Sequence, residues 1–122
     1  MARKTITLLE NSGTNLDVVG NAVPGDSYYG YTDGLHTVAI YGQGLIGRVR
    51  IQGTLATNPT EDDWFSILIN GMPFKDYNEF TGVEGYTFTA NLVYLRATLD
   101  RTSLGQSDIN TVGYIDKIYL NY

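Results

Sequence analysis

The sequence predicts an all-β protein, and three observations lead to that prediction. The 122 residues include 14 glycines and 10 tyrosines, a composition typical of strands separated by tight turns. Apolar and polar residues alternate over several short stretches, as expected of strands with one buried side. Turn-forming residues recur between these stretches. We therefore expect a single antiparallel β-sandwich of jelly-roll type, with about seven or eight strands, in preference to a closed barrel.

The N-terminal part of the chain contains three predicted strands, at residues 4–9, 16–19 and 35–41. Residues 1–14 are a candidate N-terminal arm or edge strand. Residues 20–34 are rich in turn-forming residues and predict a loop. The third strand is expected to end at Gly42-Gln43-Gly44, and residues 1–122 are expected to form one domain.

The next predicted strand has a distinct buried side, formed by Val49, Ile51 and Leu55. Gly53 lies on the same side, where a missing side chain leaves room for a neighbour. Pro59 is expected to stop the strand, because proline cannot donate a hydrogen bond to a ladder.

A helical turn and a second strand are predicted after Pro59. Thr60 and Asp63 have the spacing of a capping pair around one helical turn. An apolar run follows from Trp64 to Ile69, and Trp64 is expected in the core, with a binding platform as the alternative. Asn70-Gly71 then predicts a tight turn of type I′.

The C-terminal part contains predicted strands at residues 86–90, 92–100 and 113–122, of which the first two could also form one long bent strand. Residues 75–85 predict a polar connection. Arg48, Arg50 and Arg96 lie on the polar sides of their strands and are expected to pair with surface acids. The first and last predicted strands are sheet edges that could pair between chains.

Composition excludes several classes of protein. The chain has no cysteine, which removes disulfides, thiolate zinc sites and thiol nucleophiles. Thirteen acidic and eight basic residues give a net charge of −5, so we expect no nucleic-acid partner. We also expect no signal peptide, no membrane partner and no cofactor.

The residues that could carry catalysis or bind metal are few. His36 is the only histidine, so it is interpreted as an edge or hydrogen-bonded residue and not as part of a metal site. Glu61-Asp62-Asp63 is interpreted as a solvated capping turn, with a cation site as the alternative. We therefore predict no catalytic residue, no metal site and no enzymatic activity.

Tyrosine is the residue type present in surplus. A tyrosine offers a flat apolar ring and a hydrogen-bonding tip, which suit contacts with a sugar or a protein. The alternative is that these rings cover the ends of the sandwich. The candidate binding residues are Tyr28, Tyr29, Tyr31, Tyr114, Tyr119 and Tyr122.

Residues 47–122 resemble a module of virion structural proteins from tailed bacteriophages of the cyanophage and myovirus type. The motifs that carry the resemblance are Gly53-Thr54-Leu55, Asn58-Pro59, Asp63-Trp64-Phe65, Leu95-Arg96-Ala97 and Ile115-Asp116-Lys117-Ile118. The module has no associated catalytic residues, so the resemblance implies a structural role. Residues 1–46 lie outside it.

The function expected from this resemblance is that of a non-enzymatic virion component: a capsid decoration, neck, tail or baseplate accessory protein. It would be made in the host bacterial cytoplasm and located in the virion. Its expected partners are other virion proteins and further copies of itself. The alternative is a carbohydrate-binding module, with a glycan as partner, because the layout is similar to that of jelly-roll carbohydrate-binding modules.

Overall fold

The fold is all-β, as predicted, and its sheet is nearly barrel-shaped. The computed structural model describes residues 5–10, 12–13, 16–24, 35–69, 71–90, 92–102 and 113–121. Within these ranges eight antiparallel strands belong to one sheet. They are β1 (Thr5–Glu10), β2 (Asp17–Val19), β3 (Val23–Pro24), β4 (Leu35–Thr54), β5 (Phe65–Ser66), β6 (Lys75–Thr89), β7 (Tyr94–Asp100) and β8 (Tyr114–Asn121).

The order of the strands places β4 at the centre of the sheet. The sheet runs β1-β8-β4-β7-β2, with β3 paired to β7 and both β5 and β6 paired to β4. Val38 pairs with Leu120 of β8 and with Tyr86 of β6, and Val49 pairs with Leu99 of β7 and with Lys75 of β6. The strand β4 therefore has β6 along one edge, and β8 followed by β7 along the other.

The strand β4 is 20 residues long, which corrects the prediction that a strand ends at Gly42-Gln43-Gly44. Both neighbouring ladders show register shifts in this region, and Gly44 has φ 59°. Glycine adopts this left-handed conformation without steric cost, so the strand bends there while its pairing continues. The bend divides β4 into a first half beside β8 and a second half beside β7.

The strand β6 corrects a second prediction, because residues 75–85 form most of a 15-residue strand and not a loop. Its side chains are largely polar or exposed, which is the composition expected where only one edge of a strand is paired. Glu79 has φ 56° and Gly82 has φ 133°. These two residues bend β6 alongside β4.

The barrel comes close to closing where β2 ends beside β1. The amide of Gly20 donates a hydrogen bond to the carbonyl of Ala97 (2.8 Å). A Cβ atom at Gly20 would collide with the carbonyl oxygen of Leu8, so only glycine allows this approach. A cleft of about 230 Å³ remains between residues 7–10 and residues 18–21.

The core lies inside this bent sheet. Val49 and Ile51, predicted on the buried side of their strand, are buried, and so are Leu95, Ala97 and Leu99 of β7. The missing side chain at Gly53 leaves room for a neighbour, as predicted. That neighbour is Leu92, because a Cβ atom at Gly53 would lie 2.6 Å from Leu92 Cδ1. Leu55 was expected on the buried side but is exposed, because the strand ends at Thr54.

The turn after β4 agrees with its prediction more closely than the strand that comes next. A 3₁₀ turn spans Glu61–Asp63, and Thr60 and Asp63 form the predicted capping box. The amide of Thr60 donates to Asp63 Oδ2 (2.7 Å). The predicted strand from Trp64 to Ile69 is reduced to β5, followed by a single bridge between Ile69 and Met72 across the predicted turn.

Candidate interaction surface

The outer face of the second half of β4 carries a row of arginines and aromatic rings. Residues of β4 and β7 with the opposite parity to the core residues point away from the core, and on β7 two of them, Arg96 and Thr98, are covered by neighbouring side chains and buried. Connections on either side of β5 supply the rings. We call this set the charge–aromatic row; its members are Arg48, Arg50, Arg96, Trp64 and Phe74.

Arg96 is the best-held member of the charge–aromatic row. Its Nε donates to Gln52 Oε1 (2.7 Å), and its Nη2 donates to Glu61 Oε2 (2.8 Å). The guanidinium carbon lies 4.2 Å from the centroid of the Trp64 ring. This contact corrects the prediction that Trp64 belongs to the core: the ring is half-buried on the outer face, where it covers a cation. The hydrogen bonds from Arg96 hold the pKa of Glu61 below its usual value.

Arg48 and Arg50 extend the charge–aromatic row along β4. Arg48 binds Asp76 through two nitrogens (2.7 and 3.1 Å) and lies 3.8 Å from the Phe74 centroid. Arg50 binds Asp100 at 3.2 Å. The predicted pairing of these arginines with surface acids is therefore confirmed. Each positive charge of the row therefore has a carboxylate partner.

Four large apolar side chains stand exposed in the connection from β4 to β6. We call them the apolar connection patch: Leu55, Phe65, Leu68 and Met72, whose exposed fractions lie between 46 and 67%. Three further large apolar side chains of the described residues are comparably exposed, and they are scattered over other elements. These four side chains share one segment of the chain, and exposed apolar side chains favour a protein interaction site where they form a contiguous surface.

The outer face of the first half of β4 has a different character. Tyr41 and Tyr119 meet edge to face with ring centroids 5.5 Å apart. Lys117 Nζ lies 4.8 Å from the Tyr41 centroid and 5.1 Å from that of Tyr119, and the hydrogen bond with Tyr119 raises the pKa of Lys117. We call these three residues the tyrosine face. Tyr41 was missed in the sequence, although its parity with Thr37 and Ala39 could have placed it outward.

The predicted tyrosines do not all fall within the described residues. Tyr28, Tyr29, Tyr31 and Tyr122 lie outside them. Tyr114 is exposed opposite Gln43, and Tyr119 is half-buried in the tyrosine face. Tyr114 and Tyr119 therefore lie at different points along β8, and of the two only Tyr119 belongs to an aromatic cluster.

A second tyrosine cluster joins the two ends of β6. The hydroxyls of Tyr77 and Tyr86 both donate to Glu84 Oε1, and Lys75 Nζ lies 3.9 Å from the same oxygen. Burial raises the pKa of Tyr86 to about 12, and the hydrogen bond to Glu84 adds to this effect. Burial likewise raises the pKa of Tyr77. The Tyr77 ring also stacks on Phe80, with centroids 4.6 Å apart.

The sequence offered two candidates for metal binding or catalysis, His36 and the acidic run from Glu61 to Asp63. His36 is buried and not at an edge: its Nδ1 lies 3.3 Å from the carbonyl oxygen of Asn121, and its ring packs against Phe88. Glu61, Asp62 and Asp63 are exposed in the capping turn. No group of three or more His, Cys, Asp or Glu side chains able to hold a metal occurs among the residues that the structure describes.

Arg101 is a buried cation that the sequence did not single out. It is fully buried, and its Nη2 donates to the carbonyl of Gly13 at 3.4 Å. Within the described part of the chain, its Nε and Nη1 have no hydrogen-bond partner. Burial accordingly lowers the pKa of Arg101. The nearby carboxylate of Asp17 accepts hydrogen bonds from backbone amides and from Thr102.

Comparisons with protein-family models, with curated proteins and with solved structures gave no match for this chain. Among the described residues, no helix is long and apolar enough to cross a membrane.

Proposed function

We propose that this protein is a non-enzymatic structural component of a tailed-phage virion and that it acts through protein–protein contacts. It would serve as a capsid decoration, neck, tail or baseplate accessory protein, made in the host cytoplasm and incorporated into the particle. The single structural observation that supports protein–protein contacts is the apolar connection patch, because exposed apolar side chains are buried when a neighbouring protein covers them. The virion part of the proposal rests on the resemblance of residues 47–122 to virion structural proteins.

The residues around the patch support the same proposal. Arg48 and Arg50 of the charge–aromatic row lie on the strand that precedes the patch, and Trp64 comes directly before Phe65. Tryptophan and arginine are enriched among the residues that dominate binding energy at protein interfaces. Several motifs that resemble virion proteins, including Asp63-Trp64-Phe65, fall in this region.

The proposal is tested by particle incorporation. Particles from an infection that expresses the protein are purified, and the copies per particle are measured by quantitative mass spectrometry. We expect Leu68→Lys to reduce occupancy about tenfold or more, because a charge would be buried at the contact. Val19→Lys is the matched control, since Val19 is also exposed but lies on β2, separated from β4 by β7.

Two results would overturn this proposal. One is the absence of the wild-type protein from purified particles. The other is an equal occupancy of the Leu68→Lys and Val19→Lys variants when both fold as the wild type does.

The tyrosine face favours a second candidate function, that of a carbohydrate-binding module. Two tyrosine rings beside a lysine on an open strand face offer stacking area and hydrogen-bond donors for a sugar. Titration calorimetry with oligosaccharides from the host surface tests it. We expect Tyr41→Ala to abolish binding and Tyr114→Ala to leave it unchanged; no heat with the wild type would contradict the candidate.

The finer architecture is also a proposal. We propose that the bent sheet is a two-layer sandwich of jelly-roll type, supported by the bend in β4, which carries one strand from the β8 side of the molecule to the β7 side.

A further inference from the structure

We propose that residues 83–89 of β6 pair antiparallel with the same residues of a second copy of this chain, about a twofold axis at Tyr86. This inference rests on the proposed function, since it names one partner of an assembly protein. The result would be one continuous sheet across two molecules.

The open edge of β6 is the first step in the argument. Along its length β6 pairs with β4, and no other described strand pairs with it. The last predicted strand, expected to be an edge, is instead interior, because β8 lies between β1 and β4. The remaining edges of β1 and β2 approach each other at Gly20. The strand β6 is therefore the long edge that the described fold leaves open.

The direction of the backbone groups can be derived from β4. The amide of Thr37 donates to Asn121 Oδ1 of β8 (3.1 Å). Backbone groups alternate sides along a strand, so those of Val38 point the other way, toward its partner Tyr86. The N–H and C=O of Tyr86 then face β4. Those of its neighbours Gly85 and Thr87 face outward, away from the sheet.

The outward groups form a self-complementary set. The pairing of β4 with β6 runs without a shift from Thr89 to Gly82, where φ is 133°, so residues 83–89 are the regular stretch and Tyr86 is its midpoint. A twofold axis there pairs Val83 with Thr89, and Gly85 with Thr87, of the other copy. Every outward N–H and C=O of the stretch then meets a partner.

The charges of this edge agree with a second copy as the occupant. Glu84 is the only charged residue in the stretch, and the axis places it opposite Phe88 of the other copy instead of a second carboxylate. Its carboxylate is already engaged by the hydroxyls of Tyr77 and Tyr86. The stretch has no lysine or proline, the residues that usually protect an edge strand from pairing.

The first experiment measures the solution mass by light scattering over a concentration series. We expect the wild type to be a dimer and Thr87→Pro to be a monomer, because proline removes an outward N–H while the bonds of Tyr86 to β4 remain. Thr87→Ala is the matched control: it removes the hydroxyl that contacts Thr37 (2.9 Å) but keeps the N–H, so it should dimerise. A wild type that is monomeric throughout, or a Thr87→Pro variant that dimerises as Thr87→Ala does, would overturn the proposal.

A cross-linking experiment keeps the proposal testable if Thr87→Pro does not fold. The chain has no cysteine, so a single introduced thiol reports one distance. Tyr86→Cys lies on the axis, at a pair whose side chains are close enough for a disulfide, and we expect a covalent dimer on oxidation. Val83→Cys is exposed but off the axis. Equal cross-linking of Val83→Cys and Tyr86→Cys would contradict this register.

The two proposals fail separately in these experiments. A monomeric wild type that still enters particles through Leu68 would overturn the dimer and leave the proposed function intact. A wild type that dimerises but is absent from particles would overturn the proposed function and leave the dimer intact.

Discussion

The two halves of β4 belong to one strand but carry different outer faces. The outer face around the first half carries hydroxyl and small side chains, two tyrosine rings and one lysine. Beside the second half lie three arginines, each paired with an acid. Both inner faces pack into the same core. Core packing therefore constrains only one side of the strand, and the outer chemistry changes where the strand bends.

The strand β6 connects these two halves on the other edge of β4. Tyr77 pairs opposite the second half of β4, whereas Glu84 and Tyr86 pair opposite the first. The two hydrogen bonds that converge on Glu84 hold the ends of β6 together. The following predictions test how far the two halves differ and what joins them.

The largest effect is expected at the bend. Gly113 has φ 62° and lies so close to Gly44 that a Cβ would collide with its carbonyl. We expect Gly113→Ala to lower the free energy of unfolding by more than about 2 kcal/mol, measured by urea denaturation. Gly85→Ala is the control, since its Cβ would lie 3.6 Å from the oxygen of Val38. Equal stability of the two variants would mean that the bend is not held tightly.

The next effect compares the outer faces directly. We expect Arg96→Ala to destabilise the protein by about 1–2 kcal/mol, because the ring of Trp64 and the amide of Gln52 lose their partner. Lys117→Ala should have a smaller effect in the same urea denaturation, since its cation lies on an open face. If the lysine variant were the less stable of the two, the first half would be the more strongly constrained face.

The connection between the halves should show in alkaline solution. The pKa of Tyr86 is raised to about 12 from its ordinary value of 10.0, so the unfolded chain loses this proton first as pH rises. Its stabilising contribution is then fully present below pH 10 and is lost as pH rises through about 12. Thermal melts across this range should fall less steeply for Tyr86→Phe than for the wild type. Parallel curves would show that burial and the Glu84 hydrogen bond do not raise the pKa of Tyr86 in the folded protein.

The smallest effect is expected at Arg101. Its guanidinium is fully buried, and burial lowers its pKa, so the charged form carries a desolvation cost that an apolar side chain would not have. We expect Arg101→Met to change the free energy of unfolding by no more than about 1 kcal/mol, with stabilisation as the favoured sign. A loss as large as that of Arg96→Ala in urea denaturation would indicate that Arg101 is as well compensated as Arg96.

Local patterns predicted the parts of the fold that depend on neighbouring residues. Alternation along the second half of β4 identified the buried side chains of Val49 and Ile51. The spacing of Thr60 and Asp63 identified the capping turn, and Asn70-Gly71 identified the reversal between Ile69 and Met72. These features depend on side-chain parity and on backbone preferences over a few residues, so the sequence contains them directly.

The candidate interaction surface was less predictable, because its contacts join residues that lie far apart in the sequence. Trp64 reads as core from its apolar neighbours, and only the fold places it on Arg96, which lies 32 positions away in the chain. Tyr41 and Lys117 meet because β4 and β8 are adjacent strands. The apolar connection patch is exposed because β4 ends at Thr54 and β5 is short.

The sequence by itself therefore determined the all-β class, the buried side of the main strands and the capped turn. Only the tertiary structure decided that β4 continues through its glycines, that residues 75–85 form a strand and that β8 is interior. A strand with weak local preference forms when partners on distant segments satisfy its backbone hydrogen bonds. Those partners lie tens of residues away, beyond the range of any local pattern.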